Sequence, residues 1–436
     1  MNVIVVGAGY VGLVASCCMA QDGHQVTCIE NNREKLDMLK KGICPIYEKG
    51  LQDMLMDSLV KGWLSFKAEL PDVLQGDIII VAVSTPSSPS GATDLSSIHE
   101  VMARLSETVQ GPVVVVMKST VPPGTGRMLK ANYFVGKPVS YVSSPEFLRE
   151  GQAVFDWYNP SRIVIGTEDA ATASLARRLY PDIDVPVVIT DISSAEMIKY
   201  ASNAFLATKI SFVNEVANFC ELIDADIDDV ALGMGLDGRI GPHFLKAGAG
   251  YGGSCFPKDA RALDYYCMNT GYDFQLIKSC IEVNTQQRLL IVQKLRRMLG
   301  GIDGKKITLL GLAFKPGTDD VRESPAIGIA HLLSKEGARL TVCDPVALDK
   351  AGSQLPDNIV LNHDIIAASR GAQAICLLTE WPQFIHADWK SIRDYMSAPY
   401  VVVDGRNSLD RQKLDLLGFM YCGVGRKLSS PVSLCQ

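Results

Sequence analysis

The chain has 436 residues, more than one hydrophobic core usually organises, so two or three domains are expected. Hydrophobic residues make up 47% and charged residues 21%, which is typical of a globular protein and excludes a disordered one. A net charge of −6, without any basic run, argues against a nucleic-acid partner. The apolar runs are far shorter than the roughly 20 residues that span a bilayer. Because the chain opens directly on a predicted strand and not on a signal segment, we expect a cytoplasmic protein without a membrane partner.

The twelve cysteines are scattered along the chain. They form no CxxC pair and no Cys/His spacing of the kind that binds zinc, so no metal site is predicted. Most are expected to be reduced thiols in the core.

The first predicted strand, residues 3–6, is followed by the sequence GAGYVG and an apolar helix that runs to about residue 23. In such a turn Gly7 permits the tight bend, Gly9 lets a pyrophosphate approach the backbone, and Gly12 lets helix and strand pack closely. The N-terminus of the helix supplies N–H donors for the phosphates. The pattern predicts a dinucleotide site.

A second strand, residues 25–29, ends at Glu30. A carboxylate near this spacing accepts hydrogen bonds from the adenosine ribose and repels a 2′-phosphate, which favours NAD over NADP. Arg33 and Lys35 follow closely, and because cations could bind a 2′-phosphate, NADP stays an alternative.

Further strands are predicted at residues 77–83 and 113–117 and near Ser140 and Arg162, with helices from about residues 33 and 95 between them. This alternation predicts a doubly wound parallel sheet, whose ligands bind beyond the carboxyl ends of the strands. Polar segments stand at those ends, at residues 84–86, 118–122 and 144–151. Each is also compatible with ordinary turn chemistry.

From about residue 191 the pattern changes to one long helix, with Ser193 or Ser194 as the expected cap and Glu196 in the first turn. Its surface is largely apolar, so it is expected to be buried or to lie at a subunit interface. Lys199 and Asn203 are four residues apart and share a face. The lysine either has a partner or ligand there, or extends to solvent.

A helical segment is expected over residues 238–246, leading into the stretch GYGGSCFPKD at residues 250–259. Here Gly252 and Gly253 are expected to let the backbone approach a ligand, and Lys258 to favour a thiolate at Cys255. The alternative is a buried structural cysteine. Together with a dinucleotide site, a reactive thiol suggests oxidation through a thioester.

From residue 305 a second α/β pattern begins, with strands predicted at residues 307–311, 340–343, 374–378 and 400–403. It lacks GxGxxG and is expected to bind the other ligand. The predicted α/β fold therefore has an N-terminal Rossmann-type doubly wound sheet (1–190, NAD-binding), a central helical domain with the cysteine (191–300) and a C-terminal Rossmann-like domain (301–436).

Six motifs occur in one order along the chain: GAGYVGL at Gly7, STVPPGT at Ser119, SPEFLREG at Ser144, EMIKYASNAF at Glu196, GGSCFPKD at Gly252 and FKPGTDDVRESP at Phe314. In these motifs the chain resembles, over essentially its whole length, the UDP-glucose 6-dehydrogenases of the UDP-glucose/GDP-mannose dehydrogenase family.

The resemblance implies oxidation of a sugar 6-hydroxyl to a carboxylate, with two NAD reduced per turnover and Cys255 as the nucleophile. It implies that Lys199 and Asn203 hold the oxyanion and a catalytic water, and that Asp259 orders this water. Glu146 resembles the glutamate placed for thioester hydrolysis, and Thr120 a threonine that holds water nearby.

Together with the glycine turn, the resemblance implies that the cofactor is contacted by Gly7, Gly9, Tyr10, Val11, Gly12, Glu30, Lys35, Thr85, Thr120, Glu150, Lys258 and Arg322. The expected contacts to the nucleotide sugar are Phe147, Leu148, Arg149, Lys199, Asn203, Phe244, Leu245, Gly252 and Lys315. Arg239 resembles an arginine that reaches the substrate of a neighbouring subunit, and the long helix resembles a dimer core, which implies a homodimer.

Three alternatives stay open at this point. Relatives that act on GDP-mannose or UDP-N-acetylhexosamines share most of these motifs. A single-step hydroxyacid-type dehydrogenase pairs a Rossmann domain with a helical domain but does not need Cys255. A non-catalytic nucleotide-sugar sensor keeps both binding domains, although the intact Cys, Lys, Asn and Asp set argues against it.

Overall fold

The structure, a computed structural model, describes residues 1–74, 78–181 and 183–426. The chain forms two compact units. The N-terminal unit comprises Met1–Ser202 and Arg261–Gly271, and the C-terminal unit comprises Asn203–Ala260 and Tyr272–Gln436.

The N-terminal unit is built on an eight-stranded sheet. Its strands, in chain order, are β1 Asn2–Val6, β2 Gln25–Ile29, β3 Leu64–Lys67, β4 Ile78–Val81, β5 Val113–Met117, β6 Val139–Ser143, β7 Ile163–Gly166 and β8 Val187–Thr190. The spatial order β3-β2-β1-β4-β5-β6-β7-β8 begins with the doubly wound Rossmann order. All pairs are parallel except β6 with β7, which meet in antiparallel fashion at Ser143 and Gly166. The predicted doubly wound sheet is confirmed, except for this antiparallel pair and for strands β3 and β8, which were not predicted.

The central strands of this sheet are buried because helices cover both faces. Every residue of β4 and β5 is buried, as expected for continuous runs of Val and Ile in parallel strands. Along β1 the side chains alternate: Val3 and Val5 belong to one core cluster, and Ile4 and Val6 to the other. Strand β4 is shorter than predicted, and Asp77, at the predicted start, lies outside the described residues.

Helices α1 Tyr10–Gln21, α2 Arg33–Lys40, α3 Leu51–Val60, α4 Ser96–Thr108, α5 Thr125–Tyr133, α6 Ala153–Tyr158 and α7 Ala170–Arg177 connect these strands. They are followed by the 32-residue helix α8, Ile192–Ile223. The predicted serine caps of α8 are wrong. Asp191 precedes the helix, and its carboxylate accepts from the backbone N–H of Ser194 at 3.1 Å and from the Ser194 hydroxyl at 2.5 Å. The aspartate provides the acceptor because both serines lie inside the first turn.

The C-terminal unit contains a six-stranded sheet that is parallel throughout its described pairs. Its strands are β9 Lys306–Leu310, β10 Arg339–Cys343, β11 Val360–Leu361, β12 Ala374–Leu377, β13 Val401–Asp404 and β14 Met420–Cys422, in the order β11-β10-β9-β12-β13-β14. This is again the Rossmann order, which confirms the predicted second α/β domain. The short strands β11 and β14 were not predicted.

The helices of this part of the chain are α9 Ile227–Gly235, α10 Phe256–Asn269, α11 Gln275–Leu299, α12 Pro325–Lys335, α13 Leu348–Gly352, α14 Ile365–Ala368, α15 Pro382–Ile385, α16 Trp389–Tyr395 and α17 Arg411–Leu416. The expected helix over residues 238–246 is wrong, since this segment consists of turns and irregular chain. Gly241 and Phe244 have φ of +70° and +64°, and Pro242 lies between them, so a helix cannot continue. Among the residues that the structure describes, none of the helices is both long and apolar enough to cross a membrane.

Candidate active site

The glycines after β1 form a cradle that suits a dinucleotide phosphate. Gly7 has φ of +99°, and a Cβ there would lie 2.7 Å from the carbonyl oxygen of Ala82. A Cβ at Gly12 would lie 1.9 Å from the Gly7 carbonyl oxygen, so α1 packs directly on the turn. Around Gly9, by contrast, a Cβ would meet only the Ala82 oxygen, at 4.0 Å. No side chain in the described part of the chain caps α1, which leaves its first N–H groups for an anion. These residues fit NAD.

Glu30 follows β2 and is buried, with 8% of the residue exposed. Its Oε1 accepts from the backbone N–H of Asn32 at 2.9 Å, and its Oε2 lies 3.2 Å from Nζ of Lys35. The carboxylate is therefore held in one orientation at the end of the strand. The nearby cation pairs with this carboxylate, so Lys35 and Glu30 form one polar group.

Two other strand ends are joined by hydrogen bonds. The Thr85 hydroxyl donates to the carbonyl of Thr120 at 3.1 Å, and the Ser119 hydroxyl donates to the carbonyl of Val83 at 2.7 Å. These bonds link the segments that follow β4 and β5. The predicted contact residues Thr85 and Thr120 therefore lie together, while Tyr10 and Val11 lie in the first turn of α1.

A buried ion pair joins Glu146 and Lys199. Their side chains are 9% and 4% exposed, and Nζ of Lys199 lies 2.9 Å from Oε1 of Glu146. The other carboxylate oxygen accepts from the backbone N–H of Leu148 at 2.5 Å. The ring of Phe147 lies beside this pair, 5.4 Å from the lysine ammonium and 3.5 Å from the guanidinium of Arg162. Lys199 thus has the partner that its apolar surroundings require.

The end of the same segment is held locally. The guanidinium of Arg149 donates to both oxygens of Asp156, with Nε at 2.9 Å and Nη2 at 2.6 Å. The Arg149 backbone N–H donates to the same carboxylate at 2.8 Å. Arg149 is still 57% exposed in its side chain, and Glu150 next to it is half-buried.

Cys255 immediately precedes α10 and is half-buried. Its backbone carbonyl accepts from the N–H of Asp259, and its Sγ lies 3.5 Å from the Ser254 hydroxyl. The cysteine therefore stands at the N-terminal end of a helix.

The two glycines before the cysteine pack closely against another part of the protein. A Cβ at Gly252 would lie 2.5 Å from the carbonyl oxygen of Glu323, and a Cβ at Gly253 would lie 2.8 Å from the Phe314 ring. The Gly253 N–H also donates to the Arg322 carbonyl at 2.9 Å. The close neighbour of the glycine pair is thus the protein's own segment 314–325. That Gly252 and Gly253 also let a ligand approach the backbone stays a prediction.

Asp259 forms the centre of a buried polar group one turn after Cys255. Only 1% of this residue is exposed; its Oδ2 accepts from Nδ2 of Asn203 at 2.6 Å, and its Oδ1 lies 2.5 Å from Nζ of Lys258. The Lys258 ammonium is therefore engaged by Asp259, and a direct effect of this lysine on the thiol remains a prediction.

The remaining predicted substrate and cofactor residues of the C-terminal unit are more exposed. Arg239 is 90% exposed in its side chain and pairs with Asp237 at 2.6 Å. Arg322 pairs with Asp320 at 2.7 Å. Lys315 has its ammonium 5.4 Å from the centre of the Phe314 ring.

Phe244 and Leu245 lie in the irregular segment before the cysteine loop. Phe244 is 37% exposed, with its ring 6.2 Å from that of Phe256, whereas Leu245 is buried at 6%. The sequence motif alone does not distinguish these two environments.

Sequence reasoning missed Arg406, a residue that organises these loops. Arg406, after β13, donates to the carbonyls of Leu378 at 2.7 Å, Phe314 at 2.9 Å and Gly250 at 3.4 Å. Its position beyond a strand end was the only available signal.

Glu196 was expected to stabilise the first turn of α8 through the helix dipole. In the structure its carboxylate accepts hydrogen bonds from the N–H groups of Gly124 and Gly126 at 2.6 and 2.7 Å. It therefore stabilises the start of α5. Burial raises the pKa of Glu196 to about 7, although these two hydrogen bonds oppose the shift.

The structure thus groups the predicted residues into two sets. The N-terminal unit brings together Glu146, Phe147 and Lys199, and separately Thr85 with Thr120. The C-terminal unit brings Asn203 to Asp259, one turn beyond Cys255. Lys199 and Asn203 are carried by the same helix, α8.

Comparison with known proteins places these features in one family. The chain is 45% identical over 441 residues, covering all of both chains, to a UDP-glucose 6-dehydrogenase of Bacillus subtilis. It is 37% identical, with a TM-score of 0.89 and 98% coverage of both chains, to the structure of a UDP-glucose dehydrogenase from the archaeon Pyrobaculum islandicum. A UDP-D-ManNAc dehydrogenase from Pyrococcus horikoshii is 27% identical, with a TM-score of 0.86 and coverage of 98% and 99%.

Models of the UDP-glucose/GDP-mannose dehydrogenase family match three parts of the chain. The NAD-binding domain matches residues 1–184, the central domain residues 193–286, and the UDP-binding domain residues 308–411. The glycine cradle after β1 lies in the first of these and the cysteine loop in the second. The chain therefore belongs to the UDP-glucose/GDP-mannose dehydrogenase family and is an NAD-dependent dehydrogenase with a nucleotide-sugar substrate.

Proposed function

We propose that the protein oxidises the 6-hydroxyl of UDP-glucose to the carboxylate of UDP-glucuronate in two successive steps. The observation that carries the proposal is the buried group of Asn203, Asp259 and Lys258 beside Cys255, at the start of α10. A single oxidation to a ketone or aldehyde has no need of a thiol with such neighbours. The names of the similar proteins from Bacillus subtilis and Pyrobaculum islandicum support UDP-glucose as the sugar nucleotide.

In this proposal NAD is held by the glycine cradle, with Tyr10 and Val11 at the phosphates and Glu30 at the adenosine ribose. Lys35, Thr85, Thr120, Glu150, Lys258 and Arg322 complete the proposed contacts. NAD supplies the two-electron acceptor for each of the two oxidations. The open space around Gly9 supports the assignment, since every other glycine of the turn is crowded by backbone.

Cys255 acts after the first oxidation, which converts the C6 alcohol into an aldehyde. Its sulfur forms a bond with the aldehyde carbon, and the carbonyl oxygen takes up a proton, giving a thiohemiacetal. The second oxidation removes the hydrogen on carbon with its electron pair and releases the hydroxyl proton, which leaves a thioester. Water then adds to the thioester carbonyl, the carbon–sulfur bond breaks, and the sulfur departs as thiolate. Covalent capture thus divides one difficult conversion into easier steps.

The polar residues position charge and water in this sequence. Lys199 and Asn203 stabilise the oxygen at C6 as negative charge develops on it. Asp259 orders the water, together with Asn203, and Glu146 with Thr120 assists its attack on the thioester. The balance per turnover is one UDP-glucose, two NAD⁺ and one water converted to UDP-glucuronate, two NADH and three protons.

The UDP-sugar is proposed to lie against Phe147, Leu148, Arg149, Phe244, Leu245 and Gly252, with Lys315 from the C-terminal domain. Cations near a diphosphate make charge-assisted hydrogen bonds. We retain the three-domain division, 1–190, 191–300 and 301–436, as part of this proposal. A UDP-N-acetylhexosamine is a second candidate substrate, because the similar structure from Pyrococcus horikoshii is a UDP-D-ManNAc dehydrogenase.

We also propose a homodimer formed through α8. Phe205, Phe212 and Phe219 are 66%, 51% and 59% exposed, and their spacing of seven residues places them on one stripe of the helix. Exposed aromatic residues in such a row are costly unless a partner covers them. A second copy would bring Arg239 of each subunit to the substrate of the other. Analytical ultracentrifugation should detect a dimer that dissociates when Phe212 is changed to Glu, and a monomeric wild type would refute this.

The eight buried cysteines have no disulfide partner in the described structure, which supports a reducing, cytoplasmic location.

The stoichiometry of NADH tests the central proposal. With limiting UDP-glucose and excess NAD, we expect two NADH per sugar at completion, and no turnover of GDP-mannose or UDP-N-acetylglucosamine. One NADH per sugar would exclude the thioester route and favour a single-step hydroxyacid-type enzyme. If the enzyme turned over a different nucleotide sugar and not UDP-glucose, the proposed substrate would be wrong, but the proposed two-step oxidation would still stand.

Cys255→Ser tests the covalent step separately. This variant should lose steady-state formation of UDP-glucuronate while still binding NADH, since the serine leaves the glycine cradle unchanged. Cys267→Ser, a half-buried cysteine further along α10, is the matched control and should stay active. If Cys255→Ser formed UDP-glucuronate at the wild-type rate, the proposed covalent mechanism would be refuted.

A further inference from the structure

Glu48 is a buried carboxylate that neither motif analysis nor the proposed chemistry uses. It lies in the loop between α2 and α3, and only 8% of the residue is exposed. Its Oε2 accepts a hydrogen bond from the Tyr10 hydroxyl and another from the backbone N–H of Gly151, at 2.8 Å. The same Gly151 N–H lies 2.5 Å from the Tyr10 oxygen. Three segments far apart in sequence therefore meet at one carboxylate.

Each of the other two segments carries part of the proposed site. Tyr10 is the first residue of α1, directly after Gly9 of the phosphate cradle. Gly151 ends the segment 144–151, which contains Glu146 and Glu150. Gly151 has φ of +81°, a conformation that other residues rarely adopt.

The energetic argument follows from burial. A carboxylate removed from water is stable only when hydrogen-bond donors replace its hydration. Bonds to an ionised acceptor are about twice as strong as neutral ones. Glu48 therefore holds the Tyr10 hydroxyl and the Gly151 amide in one arrangement more firmly than either segment could hold the other directly. Glu146, five residues before Gly151, is fixed at its own end by Lys199, so the segment is anchored at both ends.

We propose that Glu48 is a positioning residue that couples the NAD-binding turn to the segment carrying Glu146 and Glu150. The inference rests on the proposed function, in that Tyr10 contacts NAD and Glu146 serves the hydrolysis. In this proposal Glu48 acts through Tyr10 and Gly151 and not by its own contact with the cofactor or the sugar. Its loss should weaken NAD binding and slow turnover together, while the affinity for the nucleotide sugar changes little.

The experiment compares Glu48→Ala, Glu48→Gln and Tyr10→Phe with the control Glu69→Ala, an exposed glutamate of the same unit. NADH affinity is measured by fluorescence titration without any sugar, and kcat and the KM for each substrate by steady-state assay. For Glu48→Ala we expect NADH affinity and kcat each to fall about tenfold, the effect of losing a hydrogen bond to a charged group. Glu48→Gln, which keeps an acceptor, should recover part of both losses.

The double variant Tyr10→Phe with Glu48→Ala decides whether the two residues act together. If they do, the double variant is no weaker in NADH binding than Glu48→Ala alone. The proposal would be overturned if the double variant lost NADH affinity by the product of the two single losses. It would also be overturned if Glu48→Ala bound NADH as tightly as the control Glu69→Ala. Should Glu48→Ala not fold, Glu48→Gln and Tyr10→Phe carry the same test. Because the titration needs no sugar, an error in the proposed substrate would leave its outcome readable.

Discussion

Lys199→Met should destabilise the N-terminal unit strongly. The substitution keeps the length of the side chain but removes the ammonium 2.9 Å from the Glu146 carboxylate, at a place where the two side chains are only 4% and 9% exposed. Breaking a buried ion pair by removing one partner costs ~3–5 kcal/mol, because the other charge stays buried. The Leu148 N–H still donates to Glu146, so we expect the lower end, about 3 kcal/mol.

The expected loss is measurable by thermal unfolding. In a unit of this size 1 kcal/mol shifts Tm by ~2–4 °C, so Lys199→Met should melt about 6–12 °C below wild type. Adding Glu146→Gln removes the isolated charge and should restore a large part of this loss. The surface pair Lys130–Glu168, with side chains 29% and 59% exposed, is the matched control. Lys130→Met should cost below ~1 kcal/mol.

Two results would refute this reasoning. A melting temperature of Lys199→Met equal to that of Lys130→Met would mean that the pair contributes no more than a surface contact. A double variant as unstable as the sum of the two single variants would show that the residues do not interact energetically.

Three further predictions follow from single contacts. Glu30→Ala should weaken NAD binding and allow NADP, and an unchanged ratio of the two KM values would contradict the ribose assignment. Gly252→Ala places a Cβ 2.5 Å from the Glu323 carbonyl oxygen and should cost ~1–3 kcal/mol in thermal stability, whereas Gly233→Ala, where a Cβ meets nothing within 4 Å, should cost nothing. Burial raises the pKa of Glu196 from 4.5 to about 7, so its contribution to stability is complete below pH 4.5 and is lost as the pH rises through 7. The variant Glu196→Gln has no carboxyl group to ionise at this position and therefore lacks this loss. The difference in Tm between the variant and the wild type should thus shift in favour of the variant between pH 5 and 8. Curves of Tm against pH that stay parallel for the two proteins would contradict this prediction.

Much of the architecture could be predicted from local sequence because local chemistry decides it. Continuous Val and Ile runs form strands buried on both faces, as in β4 and β5. Gly7 and Gly12 are required by backbone contacts within a few ångströms. The family motifs then indicated the reaction class. The boundaries and the division into catalytic roles remain predictions.

The errors and omissions have a common physical origin. The cap of α8 was misassigned because Asp191, Ser193 and Ser194 are all good cap residues, and only the helix register distinguishes them. The Gly241–Phe244 turns needed two positive φ values that no pattern reveals. The aspartate partners of Arg149 and Arg322 were not predicted, because only the folded structure shows them, and the ligand contacts of both arginines stay predictions.

The sequence by itself determined the two Rossmann sheets, the dinucleotide turn and the long helix, since each depends on residues close together in the chain. Only the tertiary structure decided which hydrogen-bond donors the buried carboxylates meet. Glu146 meets Lys199 across 53 positions, Asn203 meets Asp259 across 56, and Glu48 meets Gly151 across 103. A carboxylate carries no local signal of the donor it will meet, because that donor is chosen by the packing of strand ends and helices and not by the neighbouring residues.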